Sequence, residues 1–371
     1  MFKKKWHFVR GAFVEIFTMK TLQIFESAAQ FIPQITAWHL ADLGECLGKQ
    51  KLYERQSPQK LKALKEHAII ESAVSSNRIE GVNIDPARVR EVVFGEAHLR
   101  DRDEEEVRGY RKALELIHTQ SRSLRVSEET ICELHRLTRA GIGDAGNYKS
   151  RDSDIIERYS NGRTRIRFNT VTANKTPGYM KLLVKSWEDC IRERWTHPLI
   201  ALAAFNLDFL CIHPFRDGNG RVSRLLMLLQ CYHLGYDVGR YISLERIIEE
   251  NKQRYYETLE ESSKGWHEGK HDPWPYLNFV FFILKIAYKE FEERASATVN
   301  PRGSKTEMVH HAIHAIGSDF TVADIEKKCP AVSRDMIRIV LKTMQKSGEV
   351  ECVGRGPGAL WKKKGNTSKK G

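Results

Sequence analysis

Twelve residues, His213-Pro214-Phe215-Arg216-Asp217-Gly218-Asn219-Gly220-Arg221-Val222-Ser223-Arg224, constrain the fold of this 371-residue chain more than any other stretch. Asp217-Gly218 and Asn219-Gly220 demand a tight backbone, because glycine reaches positive φ without steric cost. An apolar run from Leu225 to Leu229 follows at once, so the segment reads as a loop opening into a helix. At such a helix start, free backbone N–H groups and the positive end of the dipole make a hole suited to phosphates. Upstream, His197 to Ile212 is strongly apolar and reads as a buried helix that delivers His213 to the hole.

Three kinds of reactive group surround that hole. Arg221 and Arg224 are three apart, so they can share a helix face and clamp phosphate oxygens. Asp217 is a hard carboxylate at the loop mouth, fit for a Mg²⁺ that already carries waters and phosphates. His213 stands before Pro214, which ends the preceding segment. Its ordinary pKa lies near neutrality, so it can take a proton from an attacking hydroxyl.

In this order, the residues resemble the signature of the Fic family, H-x-F-x-[DE]-G-N-G-R-x-x-R, at every defining position. The resemblance implies a mainly α fold: a Fic-type helical domain with a β-hairpin flap. It also implies a self-inhibited protein adenylyltransferase, moving AMP from MgATP to a Ser, Thr or Tyr hydroxyl of a target protein or of itself. His213 would be the general base and Asp217 the Mg²⁺ ligand. Gly218, Asn219 and Gly220 would hold the phosphates, Arg221 and Arg224 would clamp them, and Phe215 would anchor the loop.

Other stretches gain meaning beside that signature. Lys60 to Arg78 is helical by period, with Leu61, Leu64, Ala68, Ile69 and Ala73 on one stripe. It closes at Ser76-Asn77-Arg78-Ile79-Glu80-Gly81, where Gly81 is placed to cap a helix end. The same residues are similar to the family's inhibitory motif, [ST]-x-x-x-E-[GN]. By that likeness Glu80, with Ser76, would pair with Arg224 and crowd the γ-phosphate. Ile155–Ser160, Asn161-Gly162 and Arg163–Phe168 form a strong hairpin signal. Its family counterpart is a flap whose edge, here Ile166, Arg167 and Phe168, docks an extended target segment. Gly146-Asn147-Tyr148-Lys149 has lysine where the family usually has arginine. Tyr255 and Tyr256 resemble the segment lining the adenine pocket, although two aromatics packing a helix read the same way.

Between these stretches, Glu104-Glu105-Glu106 reads as a solvated helix face, and Ser127 as the cap of a helix with Thr130 at its third position. Hydrophobic and charged contents of 41% and 29% are those of an ordinary globular protein. The seven cysteines are scattered without a C-x-x-C, which favours reduced thiols and a cytoplasmic setting. Met1 to Lys20 has a basic head and an apolar stretch interrupted by Glu15, too short to span a membrane, so no membrane partner is expected. Met19 is an alternative start.

The net charge of +12 is uneven: residues 301–371 hold 14 Lys and Arg against 7 Asp and Glu. There two helix starts, at Thr321 and Val332-Ser333, precede a strand, a Gly354–Gly358 turn and a second strand. Ile337, Val340, Leu341 and Met344 line one face of the second helix. This pattern looks like a small winged helix-turn-helix, and its charge makes DNA a candidate partner. The expected organisation is an N-terminal helical region carrying the inhibitory motif (1–100), a catalytic domain (101–294), a linker (295–306), the winged helix (307–365) and a basic tail (366–371). Two alternatives stay open: an AMP-removing or other phosphate-group transferase on the same fold, and a DNA-binding regulator with a nucleotide-sensing domain. A homodimer is also left open.

Overall fold

The computed structural model describes residues 5–9, 12–16, 19–25, 31–56, 58–95, 98–141, 143–158, 162–296, 304–316, 319–330, 332–354, 356 and 358–363. An N-terminal antiparallel hairpin pairs β1 (Lys5–Val9) with β2 (Ala12–Ile16). Short α1 (Lys20–Ile24) is followed by two long helices, α2 (Gln34–Gln56) and α3 (Pro58–Ile79). Pro58 opens α3 at a position where a missing N–H costs nothing. Then come α4 (Val89–Phe94), α5 (Arg102–Gln120) and α6 (Glu128–Thr138). Asp101 and Ser127 cap α5 and α6, the latter accepting from the Thr130 N–H as the sequence suggested. A second hairpin pairs β3 (Ile155–Arg158) with β4 (Thr164–Phe168). Next follow α7 (Thr176–Glu193), α8 (Pro198–Ile212), α9 (Asn219–His233), α10 (Leu244–Glu250), α11 (Lys252–Ser263) and α12 (Trp274–Ser296).

The mainly α architecture is organised around α8. Every residue from Leu199 to Ile212 is buried, so no hydrophilic face exists to turn outward. Its two polar side chains are matched rather than stranded. Asn206 donates to the Ser223 carbonyl and accepts from the Ser223 and Tyr276 hydroxyls, tying α8 to α9 and α12. Asp208 accepts from the Thr21 hydroxyl and backbone and from Trp266 Nε1. Burial still pushes the Asp208 carboxyl up to about 6, against the pull of those donors. Thr21 and its neighbours Met19 and Leu22 are thereby held inside the core.

The acidic run on α5 departs from expectation. Glu104 and Glu106 are buried, not solvated, because each meets guanidinium groups: Glu104 pairs with Arg88, and Glu106 with Arg102, Arg139 and Arg221. Burial of a carboxylate is tolerable only when it is so paired.

Beyond α12, helices α13 (Ser304–Ala315), α14 (Val322–Lys328) and α15 (Arg334–Lys346) precede β5 (Val350–Val353) and its antiparallel partner β6 (Leu360–Lys363). Phe320 bridges to Trp361, adding a short third edge. Thr321 and Asp324 form a reciprocal capping box at α14, and Ser333 caps α15. Ile337, Val340, Leu341 and Met344 join Val309, Ile313, Phe320, Ile325 and Trp361 in a core separate from that around α8. Of the expected linker 295–306, residues 295–296 and 304–306 are helical, while 297–303 and the tail 366–371 lie outside the described residues. The two parts touch where Arg78 donates to the Lys327 carbonyl at 3.3 Å. No helix among the described residues is long and apolar enough to cross a membrane.

Candidate active site

His213 caps α8 in the left-handed region (φ 53°), a conformation a non-glycine residue adopts only when its surroundings hold it there. The surroundings are visible on both sides. Lys149 Nζ donates to the Ile212 carbonyl (3.4 Å) and to the Thr170 hydroxyl (2.6 Å), and the Lys149 backbone N–H donates to the Pro214 carbonyl (2.8 Å). Burial lowers this lysine to about 8. The imidazole Nδ1 faces the Leu210 carbonyl at 3.3 Å. A carbonyl can only accept, so Nδ1 carries the proton and Nε2 presents a lone pair. Burial holds His213 down to about 4, so the ring is neutral at physiological pH.

The loop that follows is closed by its own side chains. Asn219 accepts from the Phe215 N–H (2.9 Å) and donates to the Phe215 carbonyl (2.8 Å), so its amide locks the turn. What Asn219 offers an anion is its backbone. Phe215 is fully buried, with its ring stacked on His135 at 3.7 Å and 9°. His135 Nδ1 accepts from the Gly146 N–H, which leaves Nε2 to donate to the Asp217 carbonyl. Gly218 sits at the N-cap of α9 with φ 84°, where a side chain would be strained. At Gly220 a Cβ would overlap the Glu80 carboxylate, so only glycine lets Glu80 approach α9 this closely.

The charges are layered around this turn. Glu80 accepts from Arg224 Nη2 at 2.7 Å, and Arg224 also donates to the Ser76 hydroxyl (2.8 Å) and carbonyl (2.9 Å). Ser76, Glu80 and Arg224 are therefore brought together. Arg224 Nη1 is buried beside Gly220 and meets no acceptor among the described residues. Arg221 donates to Glu106 and to Asn77 Oδ1. Asp217 lies outside this layer with its side chain 58% exposed, 2.6 Å from Arg139 and 4.0 Å from Arg221 and Arg102. Partial burial works to raise its pKa, but Arg139 and then Arg221 hold it below the ordinary carboxylate value. An ionised, exposed oxygen donor fits Mg²⁺, and since Glu106 is committed to arginines, phosphates and water would supply the other ligands.

The remaining expected site residues flank this centre. Tyr255 is buried, its ring against those of Tyr276 and Phe279, so it packs the core and does not line an open pocket. Tyr256 is half-buried between the Ile79 carbonyl, 3.5 Å from its hydroxyl, and the Arg167 guanidinium over its ring. In the hairpin, Arg165 and Arg167 pair with Glu260, and Phe168 stacks on His267. Ile166 and Ile156, opposite each other in the register, are exposed apolar residues at the hairpin edge.

Sequence reasoning missed Glu106, Arg139 and His135. A signal was present for Glu106: the steps 106, 110, 113 and 117 run down the buried face of α5, so Glu106 shares the phase of Tyr110, Ala113 and Ile117.

A neutral histidine, an exposed carboxylate and two glycines thus meet around one helix start in a mainly helical domain. The Fic/DOC family model matches residues 125–231, the segment that carries α6, the hairpin and the His213 loop. Protein adenylyltransferase Fic of Drosophila willistoni is 30% identical over 107 residues, covering 28% of this chain and 19% of that protein. The Nematostella vectensis protein of the same name is 25% identical over 261 residues, covering 65% of this chain and 52% of the relative. The matches thus span about a fifth to about half of these curated relatives. A Fic family protein from Desulfovibrio desulfuricans G20 shares the fold with a TM-score of 0.59 at 23% identity, over 91% of this chain and 98% of that one. Fic-1 (aa134 - 508) from C. elegans superposes with a TM-score of 0.56 at 19% identity, over 70% and 74% of the two chains.

Proposed function

We propose that this protein is a self-inhibited protein adenylyltransferase, transferring AMP from ATP to a hydroxyl side chain of a target protein or of itself. One observation carries the reading: a neutral His213, its Nδ1 turned to the Leu210 carbonyl, is followed after a short loop by a helix whose Arg224 keeps a buried donor without acceptor. A hydroxyl delivered to His213 loses its proton to Nε2 as its oxygen attacks the α-phosphate; the bond from the α-phosphorus to the bridging oxygen breaks and pyrophosphate leaves. The N–H groups of α9 and the two arginines stabilise the charge that develops on the phosphate oxygens. Asp217 would hold Mg²⁺, which when bound neutralises phosphate charge. The names of the relatives support the activity, and the pairing of Glu80 with Arg224 supports the self-inhibition. The exposed Ile156–Ile166 edge of the hairpin supports target docking by strand addition. For the C-terminal unit, three helices followed by a hairpin, together with the local positive charge, support a winged helix that meets DNA. The seven free thiols fit a reducing, cytoplasmic setting.

The test compares Glu80→Gly with Glu80→Gly/His213→Ala, using ATP labelled at its α-phosphate and cell lysate as the source of targets. Loss of the base should lower AMP incorporation at least about 10²-fold, while the affinity for ATP stays within a few fold. An equal loss of nucleotide affinity would refute the assignment of His213 as base.

A further inference from the structure

We propose that His310, His314 and Glu349 form a second metal site, in the C-terminal domain, for a borderline-soft divalent cation of the zinc type. His310 and His314 are one turn apart on α13, so both imidazoles leave the same helix face. Glu349 reaches the same point from the turn between α15 and β5, 35 residues away in the chain from His314. One ligand atom from each of the three lies within 4.8 Å of the other two. Tetrahedral zinc with bonds of about 2.0–2.1 Å needs its ligands roughly 3.4 Å apart. Closing that gap takes rotamer adjustments of about an ångström, which exposed side chains make cheaply.

The backbone under these side chains is fixed on both sides. Gly348 turns the chain at φ 81°, and the Glu349 N–H donates to the Met344 carbonyl at 2.9 Å. The Ser347 hydroxyl donates to Glu349 Oε1, steering the carboxylate as outer-shell partners do in metal sites while the other oxygen remains for a cation. Across from it, Lys363 Nζ donates to the His314 and Ile316 carbonyls, so this ammonium is committed to the helix end. Two neutral imidazoles and one carboxylate suit zinc, with water completing the shell, and suit Mg²⁺ poorly because Mg²⁺ prefers oxygen ligands throughout. A bound ion would tie α13 to the corner between α15 and β5. This site is remote in kind from the Asp217 position, which offers oxygen alone.

The experiment titrates zinc chloride into the full-length protein, in excess Mg²⁺ and without ATP, against a chromophoric chelator. The wild type should bind one more equivalent than His310→Ala/His314→Ala. Glu349→Gln should weaken that equivalent at least about tenfold, since even outer-shell changes cost that much. Circular dichroism of the metal-free variants should match the wild type. If the double variant is misfolded, single His310→Gln and His314→Gln proteins replace it. Equal stoichiometry in wild type and histidine variants, or undiminished affinity in Glu349→Gln, would overturn the site.

Discussion

Replacing Glu80 by glycine is the sharpest test of the proposed self-inhibition. The carboxylate does two things: it accepts a charge-assisted hydrogen bond from Arg224 at 2.7 Å, and it packs over Gly220, where the proposed reading seats the triphosphate. A hydrogen bond to a charged group contributes about 1.5–3 kcal/mol. Each 1.36 kcal/mol is a factor of ten in rate, so removing this competition should raise productive ATP use by roughly 10- to 100-fold. Arg224 should keep its place, because the Ser76 hydroxyl and carbonyl still hold it after Glu80 is gone. The assay is incorporation of labelled AMP into the purified protein, with Glu80→Gln and Arg224→Ala alongside. The amide keeps the bulk but loses the charge, so its release should fall between wild type and glycine. Arg224→Ala should show no release, since it removes the clamp together with the competitor. Incorporation in Glu80→Gly at or below the wild-type level would refute the reasoning and reduce Ser76–Gly81 to a capped helix end.

Three further outcomes are expected. Burial lowers His67, His118, His135 and His271 to about 4, 3, 4 and 4, so between pH 6.5 and 4 the unfolded chain binds more protons than the native one. Stability should be full above pH 6.5 and decline as pH falls, each histidine contributing up to on the order of 3 kcal/mol; denaturant melts that are flat from pH 7 to 4.5 would contradict this. Glu106→Ala should cost about 3–5 kcal/mol by leaving Arg221 and Arg139 buried without their shared counter-charge, and a thermal shift equivalent to under 1 kcal/mol would show that solvent already compensates them. The full-length protein should bind duplex DNA with an affinity that drops steeply between 50 and about 200 mM salt, and salt-independent or absent binding would turn the C-terminal unit toward protein partners.

The elements whose period and punctuation are local were legible in the sequence. The apolar helix before His213, the glycine turn, the Ser127 cap and the hairpin around Gly162 each depend on neighbours within a few residues, and the chain spells them out. Pairings across long separations were harder to see. Glu106 looked like part of a solvated acidic run because its partners, Arg139 and Arg221, lie 33 and 115 residues away. Tyr255 and Tyr256 illustrate the same limit from the other side: adjacent residues on a helix point about 100° apart, and only packing decides that Tyr255 faces the core while Tyr256 faces the hairpin. The link between Glu80 and Arg224 was foreseen only through resemblance, since spacing alone cannot join residues 144 apart.

The left-handed backbone at His213 has a consequence for how this chain can change. Holding a side chain there costs about 1–2 kcal/mol relative to glycine, so the histidine persists against a thermodynamic preference. Glycine at this position would relax the turn and remove the proposed base in one step, giving a protein more at ease in its fold and, on that reading, without its activity. Loss of the imidazole here lies downhill in stability, whereas regaining it requires the chain to accept strain again.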